Sequence, residues 1–218
     1  MRDITRRKFI KSGVLGGIVA AGLVTCGRMS KLRQIPTPPE VEGPFYPTED
    51  QDDKDYDLTQ IEGHKAAAAG TQIIIVGRIT DLAGNGIDQA TIDIWQANTW
   101  GRYHHPRDPN PQPLDPNFQG WAIISSDTDG NFRFKTVMPG AYPASETWTR
   151  PPHIHFKVSR QGYDTLITQM YFPNEKLNET DYLLSNKKAS ERPLMIARNI
   201  GEEEDKAVYE YNIVLIKI

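Results

Sequence analysis

The chain has 218 residues, enough for one domain with appendages. Hydrophobic residues make up 38% and charged residues 24%, the balance of a globular protein with a core of its own. A formal net charge of −3 without a basic stripe speaks against nucleic-acid binding, and a single cysteine excludes an internal disulfide.

Residues 1–26 read as an export signal. Thr5-Arg6-Arg7-Lys8-Phe9-Ile10-Lys11 places twin arginines before an apolar run from Val14 to Thr25, which is too short to span a bilayer comfortably. Gly13, Gly16, Gly17 and Gly22 argue against a short buried helix there. The pattern predicts export by the twin-arginine route, to the periplasm or beyond. Leu23-Val24-Thr25-Cys26 is similar to a bacterial lipoprotein cleavage site, although Thr25 is an unusual residue before the cut. Cys26 is therefore a candidate for lipidation and membrane anchoring. Cleavage there removes more basic than acidic residues, and the acidic remainder argues against polyanionic partners.

Residues 27–40, with Pro36, Pro38 and Pro39, read as a linker, which puts the folded domain at 41–218. The acidic patch from Glu49 to Asp57 lacks the spacing of a calcium loop and reads as solvated surface. From residue 71 the punctuation is that of a β protein. Ile73–Val76, Thr91–Trp95, Trp121–Ile124, Phe132–Phe134, His153–Val158, Leu166–Phe172 and Val208–Ile216 read as strands, with turn signals at Asp81–Gly86 and Asp127–Gly130. About seven or eight strands and no long helical period predict an all-β, antiparallel sandwich. Residues 96–120 and 138–152 are long loops of the kind that carry function. Residues 174–206 read as a polar loop with a short helix and show no legible chemistry.

The segment Arg150-Pro151-Pro152-His153-Ile154-His155-Phe156 concentrates the chemistry. Strand alternation puts both imidazoles on one face and Ile154 and Phe156 on the other. Such a pair is a candidate metal site, and equally a pair of hydrogen-bonded strand histidines when taken alone. Tyr103 and Tyr142 each sit in a long loop, where a lone tyrosine is usually an anchor. Taken together, two tyrosines and two histidines suit a hard, highly charged cation. Phenolate oxygen favours iron(III) over zinc or copper(I), and two phenolates with one hydroxide balance its charge. Coordination deprotonates a phenol whose free pKa is about 10.

Five ordered segments carry a family resemblance. They are Trp95-Gln96-Ala97-Asn98 with Gly101-Arg102-Tyr103, Leu114-Asp115-Pro116-Asn117-Phe118, Pro139-Gly140-Ala141-Tyr142-Pro143, Arg150 to Phe156, and Leu166-Ile167-Thr168-Gln169-Met170-Tyr171-Phe172. The chain resembles the intradiol ring-cleavage dioxygenases, and among them the protocatechuate 3,4-dioxygenase type. The resemblance implies one non-haem iron(III) per chain, held by Tyr103, Tyr142, His153 and His155. It makes Tyr142 and His153 axial, and Tyr103 and His155 equatorial. It also implies that a catechol displaces Tyr142, which then serves as a base, that Arg150 stabilises negative charge developing on the ring, and that Gln169 lies near the reacting carbon. The implied reaction uses O2 to cut the ring between its two hydroxyl-bearing carbons and gives a cis,cis-muconate-type diacid.

Ala144 stands after Pro143 where the family often has an aromatic residue, which implies a wider or differently shaped pocket. Carboxylated, hydroxylated, chlorinated and larger catechols all stay open, as does a homo-oligomer. His104 and His105 are expected beside the site or on the surface rather than as ligands. One competing reading is an inert exported module, because Val76 to Ala90 resembles prealbumin-like sandwich domains that carry no catalysis. The two tyrosines and the His-Ile-His strand separate the readings. A second is an iron(II) oxygenase, which needs two histidines and a carboxylate; none lies between Arg150 and Phe156.

Overall fold

The computed structural model describes residues 33–218 other than Asp52. The export signal and Cys26 fall outside the described residues. Among the described residues there are eleven strands: β1 (Gln72–Asp81), β2 (Thr91–Trp95), β3 (Trp121–Ser125), β4 (Asn131–Val137), β5 (Tyr142–Ser145), β6 (Trp148–Arg150), β7 (His153–Ser159), β8 (Leu166–Tyr171), β9 (Arg198–Glu203), β10 (Lys206–Glu210) and β11 (Ile213–Leu215). One sheet runs β11-β1-β10-β9, with β4 also on β1; a second runs β3-β2-β7-β8; β5 and β6 form a separate hairpin.

Apolar side chains from the two larger sheets meet in one core. Ile73, Ile75, Phe132 and Phe134 pack with Ile92, Ile94, Ile154, Phe156 and Val158, all buried. The Phe156 ring lies 6.2 Å from Phe132 and 6.1 Å from Phe134. Burying a side chain of this size contributes about 2–3 kcal/mol. The sandwich reading holds in class and differs in two details. The strand count exceeds the seven or eight expected, because β5, β6 and β9 are short or wholly exposed and carry no apolar alternation. In addition, β1 pairs in parallel with β10 and β11, so the sandwich is not purely antiparallel. The expected single strand from Val208 to Ile216 divides at Tyr211 and Asn212. There the Tyr211 amide bonds the Val76 carbonyl, and Asn212 Oδ1 accepts from the Arg78 amide.

Residues 33–40, read as part of a linker, lie along the sandwich. Thr37 exchanges hydrogen bonds with Val214, and the Glu40 amide bonds the Ile167 carbonyl at 2.8 Å. Residues 174–206 hold a 3-10 turn at Lys176–Glu179, the short helix α1 (Tyr182–Ser185), a second 3-10 turn at Arg192–Met195, and β9. Leu184 and Met195 pack under Tyr171 at the end of β8. No described helix is long and apolar enough to cross a membrane.

Candidate metal centre

β7 buries both of its faces. Ile154 and Phe156 enter the core, and His153 and His155 project the other way. Register sets their neighbours: His153 pairs with Tyr171 and His155 with Gln169 on β8, while Trp95 on β2 pairs with His155. The Trp95 ring stacks on His155 at 4.8 Å and 13°.

A loop delivers Tyr103, and the start of β5, just after a second loop, delivers Tyr142; residues 138–152, expected as one long loop, instead hold the β5–β6 hairpin. Asn98 shapes the first loop, its Oδ1 accepting from the Trp100 and Arg102 amides and its Nδ2 donating to the Pro113 carbonyl. Asp108 accepts from the Tyr103 amide at 2.7 Å. The second loop locks onto the first where the Gly140 amide bonds the Asn98 carbonyl at 2.9 Å. Tyr103 and Tyr142 consequently meet edge to face at 5.6 Å. Phe45, 5.0 Å from Tyr103 and 6.3 Å from Tyr142, walls the same space.

All four candidate ligands converge. The Tyr103 hydroxyl lies 3.1 Å from His155 Nε2 and 3.3 Å from His153 Nε2, and the Tyr142 ring is 5.7 Å from His153. The Pro151 carbonyl accepts from His153 Nδ1 at 2.6 Å, which fixes the proton there and turns the Nε2 lone pair inward. Burial first, then the Arg150 charge, hold both histidines well below the usual range, so they are neutral and free to coordinate. Burial and the neighbouring Tyr142 push Tyr103 well above the usual phenol range. The proton fixed on His153 Nδ1 leaves its Nε2 a lone pair toward the Tyr103 hydroxyl, while among the described residues His155 Nδ1 has no partner to fix its tautomer. Two imidazole Nε2 atoms gathered on one phenol oxygen fit a cation, which would also reverse the upward shift of the phenols. Among the described residues no three of His, Cys, Asp and Glu gather to hold a metal.

Arg150 is buried across the hairpin from Tyr142. Its Nη2 donates to Gln169 Oε1 at 2.7 Å, and Gln169 Nε2 donates to the Val41 carbonyl. Burial works against the Arg150 charge, but Tyr171, Tyr142 and Asp181 outweigh it and raise the pKa. His104 is exposed. His105 is buried, accepts from the Arg107 amide and lies 5.7 Å from Phe45, in the turn that follows Tyr103. Ala144 is exposed at the hairpin. A surface groove of about 660 Å³ lined by Arg78, Asn131, Glu210 and Asn212 holds none of these residues.

The sequence reading missed Asp181. This buried carboxylate pairs with Arg150 Nε at 2.8 Å. Its only local signal was an Asp before a short apolar stretch, the mark of a helix start.

The sequence profile of a family described as "Dioxygenase" matches residues 41–217. The protocatechuate 3,4-dioxygenase beta chain of Burkholderia cepacia is 37% identical over 179 residues, covering 79% of this chain and 76% of that protein. The chain belongs to the intradiol ring-cleavage dioxygenase family. A chlorocatechol 1,2-dioxygenase of Cupriavidus pinatubonensis is 32% identical over 62% of this chain and 54% of that protein. Among solved structures, the dioxygenase domain of a dioxygenase–carbohydrate-binding fusion from Streptomyces sp. SirexAA-E superposes with a TM-score of 0.63 at 25% identity, covering 84% of this chain and 100% of that one. An intradiol ring-cleavage dioxygenase from Tetranychus urticae shares the fold, with a TM-score of 0.66 at 20% identity, over 84% of this chain and 95% of that one. The family uses non-haem iron. Membership removes the ground for reading the chain as an inert prealbumin-like module.

Proposed function

We propose that this intradiol dioxygenase holds one iron(III) per chain through Tyr103, Tyr142, His153 and His155. With O2 it cleaves a catechol between its two hydroxyl-bearing carbons to a cis,cis-muconate-type diacid. The convergence of both histidine Nε2 atoms on the Tyr103 hydroxyl carries this reading. Bound iron(III) would withdraw electron density from a catecholate and open its ring to O2.

The chain's own residues do the rest. His153 and His155 enter as neutral donors, with the Pro151 carbonyl orienting one and the Trp95 ring the other. Tyr142 Oη, deprotonated when iron(III) is held, would be the proton acceptor for the incoming catechol hydroxyl. The buried Arg150 supplies a fixed positive charge, which favours negative charge developing on the ring. Gln169 holds the guanidinium in place through its Oε1.

Twin arginines before a short apolar run support export, and Cys26 is the candidate lipid attachment point. Relatives named as alpha and beta chains of protocatechuate 3,4-dioxygenase support an oligomer. A visible spectrum of the iron-loaded protein, before and after a catechol is added, tests the site. The expected result is a tyrosinate-to-iron(III) band that shifts with catechol. A colourless protein, or one that holds zinc or only iron(II), would overturn it.

A further inference from the structure

We infer that Asp181 is a positioning residue for ring cleavage, aiming the Arg150 guanidinium so that its Nη1 edge faces the catechol. The inference rests on the proposed role of Arg150. A guanidinium has five N–H donors in one plane. Nε donates to Asp181 Oδ2 at 2.8 Å, and Nη2 reaches Gln169 Oε1 at 2.7 Å and the Tyr171 hydroxyl at 3.1 Å. Nη1 makes no hydrogen bond to any described residue. It is the edge left for a substrate oxygen.

Asp181 closes the network from the other side. Its Oδ1 accepts from the Tyr171 hydroxyl at 3.3 Å and from the Leu184 amide at 2.8 Å, the latter capping α1. Arg150 and Asp181 are both buried, so neither charge has water as an alternative partner. The helix that Asp181 caps begins with Tyr182, whose ring stacks on Trp148 at 5.0 Å. Trp148 in turn lies over the guanidinium at 5.3 Å. One residue of the segment 174–206 thus fixes the in-plane aim of Arg150, and its neighbour Tyr182 backs the Trp148 ring that lies over the guanidinium face.

A purely structural role would make Asp181 a helix cap and nothing more. Asp181→Asn separates the two, because asparagine caps as well as aspartate but carries no charge. The full iron-loaded protein is compared with Asp181→Asn, Arg150→Gln and the double variant, using unsubstituted catechol. Iron content and the visible band of the unsubstituted protein report on the iron site alone, and ratios of kcat report on Asp181. The expected result for Asp181→Asn is a roughly ten- to hundredfold lower kcat, with KM within a few-fold and colour retained. The double variant should be no slower than Arg150→Gln, since the carboxylate acts through the guanidinium. A wild-type kcat in Asp181→Asn, or a double-variant loss equal to the product of the single losses, would overturn the inference. Tyr171→Phe provides the same test should Asp181→Asn fail to fold. It should lower kcat several-fold in the parent and not at all beside Arg150→Gln; a loss in both backgrounds, or in neither, would contradict the network.

Discussion

Gly140 and Gly101 touch where the two tyrosine loops cross: a methyl group on Gly140 would meet the Gly101 nitrogen at 2.4 Å and the Thr99 carbonyl oxygen at 2.6 Å. Both obstacles are backbone, so neither can swing aside. Gly140→Ala should cost about 1–3 kcal/mol of stability and separate Tyr103 from Tyr142. Thermal unfolding together with iron affinity checks this. Unchanged values for both would mean that the loops tolerate the shift.

Tyr103→Phe keeps the ring that packs against Phe45 and Tyr142 and removes only the oxygen. The expected outcome is lost or greatly weakened iron binding, a diminished visible band and kcat lower by about a hundredfold or more. Metal analysis of the purified variant decides the matter. Full iron occupancy with an unchanged band would remove Tyr103 from the ligand set.

Phe156 supports the histidine pair from the opposite face of β7, touching Phe132, Phe134 and Tyr211. Phe156→Ala should destabilise the fold by about 3–5 kcal/mol. Denaturant unfolding measures it. A loss below about 1 kcal/mol would show that the core collapses into the gap.

Two turns share the pattern Asp-x-x-Gly-Asn. Asp81 and Asp127 each accept from backbone amides two and four residues on and from the side-chain amide of the Asn, Asn85 or Asn131. The side-chain and backbone bonds from Asn131 hold Asp127 below the usual carboxylate range. A depressed carboxylate stabilises the fold above its unfolded pKa of about 3.9, and that stability is lost as pH falls through the lower folded value. Asp127→Asn should therefore lower the melting temperature at pH 7 and have less effect at about pH 3. An equal drop at both pH values would show that the charge on Asp127 plays no part.

These turns were legible in the sequence because every partner lies within four residues. The same holds for the His153 and His155 doublet, since strand alternation is a local property. Arg150 and Gln169 gained roles only through the family resemblance. Nothing in the sequence around Asp181 pointed to Arg150, because their bond spans 31 residues and forms only when residues 174–206 fold back over β8. The pairing of β1 with β10 and β11 was hidden for the same reason.

By itself the sequence determined the core strands, the turns, the face that carries the histidines and the set of four candidate ligands; β5, β6, β9 and the break between β10 and β11 were not legible in it. What was legible follows from local backbone geometry or from residue types in a fixed order. Only the tertiary structure decided that Tyr103 and Tyr142 meet two strand histidines, and that a carboxylate from a distant segment holds Arg150. Those contacts depend on loop closure between remote parts of the chain, and on burial that leaves the charged groups no partner but one another.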